Sequence, residues 1–358
     1  MEQVTDCPVF LETMACPAFT VRDGIIYQAN QAALQRQLPL STAVSQIICV
    51  GAEDYERFIS GKLCLTLCIQ EIKYNATVTV SDDTHLFCME TAYAEPELRA
   101  FALAAQHLRE PLANAMVSTE LLLPNDTLRE DPETYKQLAQ INRSLHQLLR
   151  AVCNMSDAAQ YKQLQVAKMQ LQDAAAVFDE LLEKASHMVS QAGYTLRYKV
   201  PQQSLYCLLD TEKLERAVLN LLSNAMKFAP DGSEIFASVR QNENRLSFTV
   251  TSPKGNDPQL HGDIFHRFLR EPGLENSPSG IGLGMSIIHA VAAMHGGTVL
   301  WESPNGTDIR FTMTLKLNKA ENQTSLRSPV RLLSDYAGGR DRFLIELSDI
   351  LPSDQYKD

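Results

Sequence analysis

The hydrophobic pattern changes period along the chain. From Ala18 to Glu90 the apolar residues fall in short alternating or β-branched runs, which predict strands. Ala18–Asn30 reads as strand, Asp23-Gly24 turn, strand. Helical turns are expected over Gln31–Gln37 and Tyr55–Ile59, and further strands over Leu63–Ile69, Tyr74–Val80 and Leu86–Glu90, with a turn at Asp82-Asp83. The period then lengthens. Leu98, Phe101, Ala105, Leu108, Leu112, Ala115, Thr119 and Leu122 alternate steps of three and four, and so do Leu138, Ile141, Leu145, Leu148, Val152 and Met155. These are two long helices with a/d seams. Leu123-Pro124-Asn125-Asp126 separates them, and Asp131-Pro132 opens the second by cap and first-turn preference.

Beyond residue 164 strands and helices mix. Strands are expected at Gln165–Met169, Tyr194–Val200, Leu205–Asp210, Ile235–Arg240, Arg245–Val250, Thr298–Glu302 and Ile309–Leu317. Helices are expected at Ala174–Gln191, from Thr211 to Phe228, and up to Met294, where Gly296-Gly297 ends the last one. On the Thr211 helix, Leu214, Ala217, Val218, Leu221, Leu222 and Ala225 mark a buried face. Asn220 and Asn224 lie one turn apart on the polar side, with Lys227 close beyond them. Such a row can hold a metal ion and a phosphate chain, or it can simply face water. Residues 318–328 read as a polar linker, and 330–333 and 343–348 are apolar enough to pack on something.

Two seams this long are not buried by one helical hairpin, so the expectation is a four-helix bundle made by a homodimer. On the first helix Gln106 and His107 lie outside the seam and point outward, and Pro111 should kink the helix at His107. An exposed imidazole can act as a nucleophile toward a phosphoryl group, although a lone surface histidine has no assigned chemistry of its own.

Composition narrows the partners. A chain of 358 residues suits two or three domains. Its net charge of -11, with no basic stripe, excludes a general nucleic-acid binder. No apolar run is long enough for a membrane span, and the first residues lack a signal-peptide pattern, so the expectation is a cytoplasmic chain. The 8 cysteines form no Cys-x-x-Cys pair and no spacing with histidine that suits zinc or haem, so reduced thiols are expected.

The order of these segments resembles a bacterial two-component sensor histidine kinase. Val21-x-Asp23-Gly24-x-Ile26-x-x-x-Asn30 resembles a PAS-type sensor, without the cysteine context of flavin domains. Leu108-Arg109-Glu110-Pro111-Leu112 resembles the end of the family's H box, usually His-Glu-Leu-Arg-Thr-Pro-Leu. The family histidine would stand at Gln106, and His107 takes the place of the family's glutamate. One residue is about 100° of helix, so His107 is presented in another direction. Glu110 stands where a neutral residue often assists dephosphorylation.

The second half resembles the Bergerat-type ATP-binding fold of histidine kinases, gyrases and the heat-shock protein 90 family. Asn220 and Asn224 match its N box, and the resemblance implies that Asn224 contacts magnesium and Lys227 the phosphates. Ile264–Phe268 matches the F box, and Gly280, Gly282, Leu283 and Gly284 match the glycine box, whose amides approach phosphate at a helix start. Another box departs from the pattern. Where the family carries Asp-x-Gly-x-Gly, with the Asp accepting from the adenine amino group, this chain has Ser252, Lys254 and Asn256, and Asp257 comes five places late. An unpaired adenine amino group forfeits about 1–3 kcal/mol, or roughly ten- to hundredfold in affinity.

The fold class expected is α+β and multidomain. It comprises a PAS-like α/β sensor (1–93), a helical-hairpin dimerisation bundle resembling histidine-phosphotransfer domains (94–163), an α/β-sandwich Bergerat-type ATP-binding domain (164–317) and a C-terminal extension (318–358). Function divides two ways. The chain is a degenerate family member, a pseudokinase that signals by binding a response-regulator receiver domain or another histidine kinase. Alternatively it is an active divergent kinase that passes the ATP γ-phosphate to His107 and then to a response regulator. ATP and magnesium are the implied ligands, and zinc, haem and flavin are not indicated.

Overall fold

The computed structural model describes residues 9–14, 16–81, 83–89, 95–123, 131–160, 168–255, 284–317 and 339–357. The turn residue Asp82, Glu90, the break at 124–126, Asn256, Asp257, the F box at 264–268, the loop 271–279, Gly280, Gly282, Leu283 and the run 330–333 lie outside them.

After helix α1 (Val9–Glu12), strands β1 (Ala18–Arg22) and β2 (Ile25–Ala29) form the expected hairpin. Asp23 and Gly24 both take positive φ, 49° and 74°, the left-handed pair that an Asp-Gly turn accommodates. Asn30 is buried and ties this hairpin to helix α2 (Gln31–Leu34). Its Oδ1 accepts from the amides of Ala18 and Ala33, each at 3.0 Å. Strand β3 (Ile48–Val50), helix α3 (Ala52–Glu56) and strands β4 (Lys62–Ile69), β5 (Ile72–Ser81) and β6 (Thr84–Met89) follow. Two boundaries depart from expectation. Helix α2 stops at Leu34, and the second short helix begins at Ala52 instead of Tyr55, because Gly51 at φ 96° turns the chain into it. Strand β3 carries no periodic signal of its own, having only three residues.

Helices α4 (Glu95–Leu122) and α5 (Pro132–Gln160) pack together, and α4 runs through Pro111. Within the chain they meet through Ala105, Leu112, Met116, Leu149, Val152 and Cys153. Several members of the expected seams stay about half exposed: Leu108, Leu122, Ile141 and Leu148. The intrachain contact is therefore rotated partly off the a/d line, and the side chains of Leu98 and Phe101 are not among those described.

Strand β7 (Gln170–Asp173) forms a few residues later than expected and pairs with β9 (Tyr206–Leu209). Between them lie α6 (Ala174–Gln191) and β8 (Thr195–Lys199). Helix α7 (Thr211–Phe228), hairpin β10 (Glu234–Asn242) and β11 (Arg245–Pro253), helix α8 (Gly284–Met294), and strands β12 (Val299–Glu302) and β13 (Asp308–Lys316) complete an α/β layer. Helices α6, α7 and α8 share one apolar core with the sheet, where Phe178 of α6 stacks on Phe248 of β11 at 5.0 Å.

The first and second halves join where the sequence suggested separate domains. Eleven strands form one sheet, ordered β2-β1-β6-β5-β4-β12-β13-β11-β10-β8, with β3 beside β4. The seam is an antiparallel pairing of β4 with β12, matching Cys64 with Val299 and Lys62 with Trp301. Asp54 of α3 fastens it. Its Oδ2 accepts from Thr298 Oγ1 at 2.7 Å and lies 3.1 Å from Arg245 Nη1. Backbones approach closely here. A Cβ on Gly61, at φ 91°, would fall 2.3 Å from the Trp301 carbonyl oxygen. Helix α9 (Arg342–Glu346) and the turn Ser353–Tyr356 then lie along α5.

Gly61→Ala should destabilise the chain by about 2–4 kcal/mol, combining left-handed strain with overpacking at the seam. Urea denaturation of the full chain measures it, whereas Gly24→Ala, in open space, should cost only the left-handed strain.

Candidate functional site

The site is built on α7. Asp210 caps it, with Oδ1 accepting from the Lys213 amide at 3.2 Å. The cap is itself held: the Asp210 amide donates to His295 Nε2 at 3.0 Å, while His295 Nδ1 lies 2.7 Å from the Val291 carbonyl. That arrangement needs a neutral imidazole with its proton on Nδ1, and burial lowers the His295 pKa accordingly. Gly296 at φ 71° ends α8 as expected.

The polar face of α7 is not solvated. Arg216, Asn220, Ser223 and Asn224 are all buried, although their helix has one strongly apolar face. Helix α5 and the C-terminal segment cover that face with charged groups. Arg216 Nε donates to Glu346 Oε1 at 2.8 Å, Nη2 to Asn154 Oδ1 at 2.6 Å, and Nη1 pairs with Asp157. Asn220 Nδ2 donates to Glu346 Oε2 at 3.0 Å, and its Oδ1 accepts from Arg150 Nη2 at 2.9 Å. Lys227 Nζ meets Asp349 Oδ2 at 2.5 Å, and Arg150 Nη1 reaches the same oxygen at 2.8 Å. Asn224 Nδ2 lies 3.8 Å from Met285 Sδ of α8.

Ionisation follows from this packing. Burial pulls the Asp349 carboxyl upward, but Arg150, Lys227 and Arg143 outweigh burial and hold it below the ordinary carboxylate range. Burial, helped by Arg150, lowers the Lys227 ammonium against the opposing pull of Asp349. His289 of α8 is fully buried with no partner for either nitrogen, which pushes it down to about 4.

Of the residues singled out by sequence, the fold brings Asn220, Asn224 and Lys227 into one cluster with α8 beside it. A Cβ on Gly284 would come 3.2 Å from Asn220 Oδ1, so the glycine at the start of α8 lets that helix close on the N-box helix. This close approach fits a phosphate-binding helix pair. Ser252 is buried at the far end of β11, and Lys254 continues past it as its amide bonds to the Thr307 carbonyl at 2.7 Å. Gln106 and His107 are exposed on α4, outside this cluster. Among the described residues no group of three or more His, Cys, Asp or Glu is placed to hold a metal ion, and no helix is long and apolar enough to cross a membrane. Sequence reasoning missed Arg150, Asp157, Arg216, Glu346 and Asp349. The available signal was charge inside apolar runs, as in Phe343-Leu344-Ile345-Glu346-Leu347.

Residues 209–319 match the family of histidine kinase-, DNA gyrase B- and HSP90-like ATPases. That span takes in helices α7 and α8 and strands β10, β11, β12 and β13. The relatives that the chain resembles are sensor histidine kinases and sensor proteins. The chain is 31% identical to the sensor histidine kinase TmoS of Ectopseudomonas mendocina over 62% of this chain and 23% of that protein. It is 32% identical to the sensor protein QseC of Salmonella typhi over 57% of this chain and 44% of that protein. The chain therefore spans less than half the length of either relative. Among solved structures, full-length ShkA in complex with AMPPNP overlaps 62% of this chain and 46% of its own, at 20% identity and a TM-score of 0.46.

Arg216→Ala should destabilise the protein by about 3–5 kcal/mol, because it takes the central guanidinium from the buried Glu346 and Asp157 carboxylates and leaves them the 3.3 Å contacts with Arg150 and Lys213. Chemical denaturation monitored by circular dichroism measures this loss.

His289 predicts acid sensitivity. An unfolded imidazole titrates near 6.5, the folded one at about 4. The unfolded chain binds the proton first, so stability is lost as pH falls from about 6.5 toward 4, by roughly 2–3 kcal/mol in all. In His289→Leu, denaturation at pH 7 and pH 4.5 should differ by that much less.

Proposed function

We propose that the chain is a dimeric signalling module of the histidine kinase family that has lost autophosphorylation. The observation that carries this reading is Gln106, exposed on α4 at the family's phosphoacceptor position. A carboxamide offers no imidazole nitrogen to attack a phosphorus atom, and His107 is rotated about 100° from that direction. Ser252 supports the same reading. It lies buried where the family's aspartate would accept the adenine amino group, and it brings no carboxylate. ATP and magnesium would be held by Asn224, Lys227 and the α8 start at Gly284, with Asn220 beside them; the sequence resemblance adds Gly280, Gly282 and Leu283, which lie outside the described residues.

In this reading residues 1–93 are a PAS-like sensor, 94–163 the dimerisation hairpin, 164–317 the ATP-binding domain and 318–358 an extension. Leu108, Leu122, Ile141 and Leu148 are half exposed along α4 and α5, and a second copy would bury them in a four-helix bundle. The partner is a response-regulator receiver domain or another histidine kinase. One solved relative in fold, the histidine kinase ThkA, is in complex with the response regulator protein TrrA.

Incubation of the purified protein with γ-labelled ATP and magnesium tests the reading. No acid-labile label should accumulate. Label that is present in the wild type and absent from His107→Ala would establish the active alternative, in which His107 is the acceptor.

A further inference from the structure

The C-terminal segment does more than cover α7. Four cationic side chains, Arg150, Lys213, Arg216 and Lys227, meet three carboxylates in this cluster, Asp157, Glu346 and Asp349. Two of those carboxylates belong to residues 339–357. The segment thus brings two of the three carboxylates to these four cations, inside a chain whose net charge is -11. A concentration of buried cations against the local sign of the protein is a seat for an oxyanion.

Asp349 fills that seat as a phosphate oxygen would. Its Oδ2 takes one ammonium and one guanidinium contact, from Lys227 at 2.5 Å and Arg150 at 2.8 Å. Glu346 likewise uses the Asn220 amide, at 3.0 Å. With the segment docked, the Asn220 amide nitrogen and the Lys227 ammonium each direct a hydrogen bond to one of its carboxylates.

We propose that residues 339–357 are a built-in competitor for a polyphosphate ligand: Glu346 and Asp349 occupy its seat on α7, and Arg150 of α5 is a phosphate-binding residue exposed to that ligand when the segment withdraws. The proposal rests on the reading of α7 as the phosphate-binding helix of an ATPase domain. The segment is secured by Ile345, Leu347, Leu351 and Tyr356, all buried, and by Arg143, which donates to the carbonyls of Ser348 and Asp349 at 3.0 Å each. Docking therefore lowers apparent nucleotide affinity by the fraction of time the segment is away. Linkage makes the effect reciprocal, so a bound polyphosphate must loosen the segment. Because Arg150 and Arg143 both stand on α5, release of the segment also uncovers a basic stripe on the bundle.

The test uses the full chain and two probes, Mg-ATP and inorganic tripolyphosphate. Affinities are measured by calorimetry for the wild type, Asp349→Asn and the control Asp354→Asn, whose exposed carboxylate pairs only with Lys357 nearby. Hydrogen exchange of residues 342–351 is followed in the wild type with and without saturating probe. Asp349→Asn should bind both probes about tenfold tighter, Asp354→Asn should match the wild type, and probe should speed exchange in 342–351. Equal affinity in wild type and Asp349→Asn, or unchanged exchange at saturation, overturns the proposal. So does a lack of binding by every variant, an outcome that leaves the silent-module reading standing. Acid-labile labelling, by contrast, would remove that reading without touching the competition measured here.

Discussion

Arg216 is held from three sides, and much of the structure depends on how that charge is satisfied. A guanidinium on α7 meets the buried Asp157 of α5 and Glu346 of α9, and the part-buried Asn154 of α5. Removing such charges from solvent is costly, and their mutual attraction offsets the cost only when every partner is in place. The cluster therefore works as a registration device. Helix α5, helix α7 and the C-terminal segment each supply members, so none can shift along its neighbours without stranding a buried charge. Apolar burial around Ile345, Leu347 and Tyr356 provides the affinity of the contact, and the ion pairs fix its alignment.

The second constraint is the ladder between β4 and β12. Backbone pairing makes the amino-terminal sheet and the ATPase sheet a single eleven-stranded unit. Gly51 and Gly61 are required there for a concrete reason, since side chains at either position would collide with Thr298 or Trp301. Helix α8, which carries Gly284 at its start, packs against α7, α5, β4 and β12 together. The helix pair of the candidate site is thus bounded on one side by the ion cluster and on the other by the sheet seam. Any ligand that alters the spacing of α7 and α8 acts on both boundaries.

Much of this was legible in the chain. The Asp23-Gly24 hairpin, both long helices, α6, α7, the β10–β11 hairpin and the glycine end of α8 follow from local periodicity and turn chemistry, which act over a few residues. The row of Asn220, Asn224 and Lys227 was legible too, as a spacing on one helical face. The short helices were placed less well, because tertiary contacts choose the ends of elements with little propensity of their own. The pairing of β4 with β12 was not legible, since an edge strand's partner leaves no trace in its own alternation. The solvated-face alternative for α7 fails for a related reason. A polar face looks the same in sequence whether water or a distant carboxylate satisfies it.

What the sequence by itself determined is the set of local elements, the spacing of Asn220, Asn224 and Lys227 on α7, and Gln106 beside His107 on α4. Each is a property of neighbouring residues and needs no knowledge of what packs against them. Only the tertiary structure decided that Glu346 and Asp349, more than a hundred residues downstream of Asn220 and Lys227, pair with those side chains, and that β4 closes onto β12. Buried charge pairing and strand edges are satisfied through space, and a linear pattern records which groups need partners without recording which partners they find.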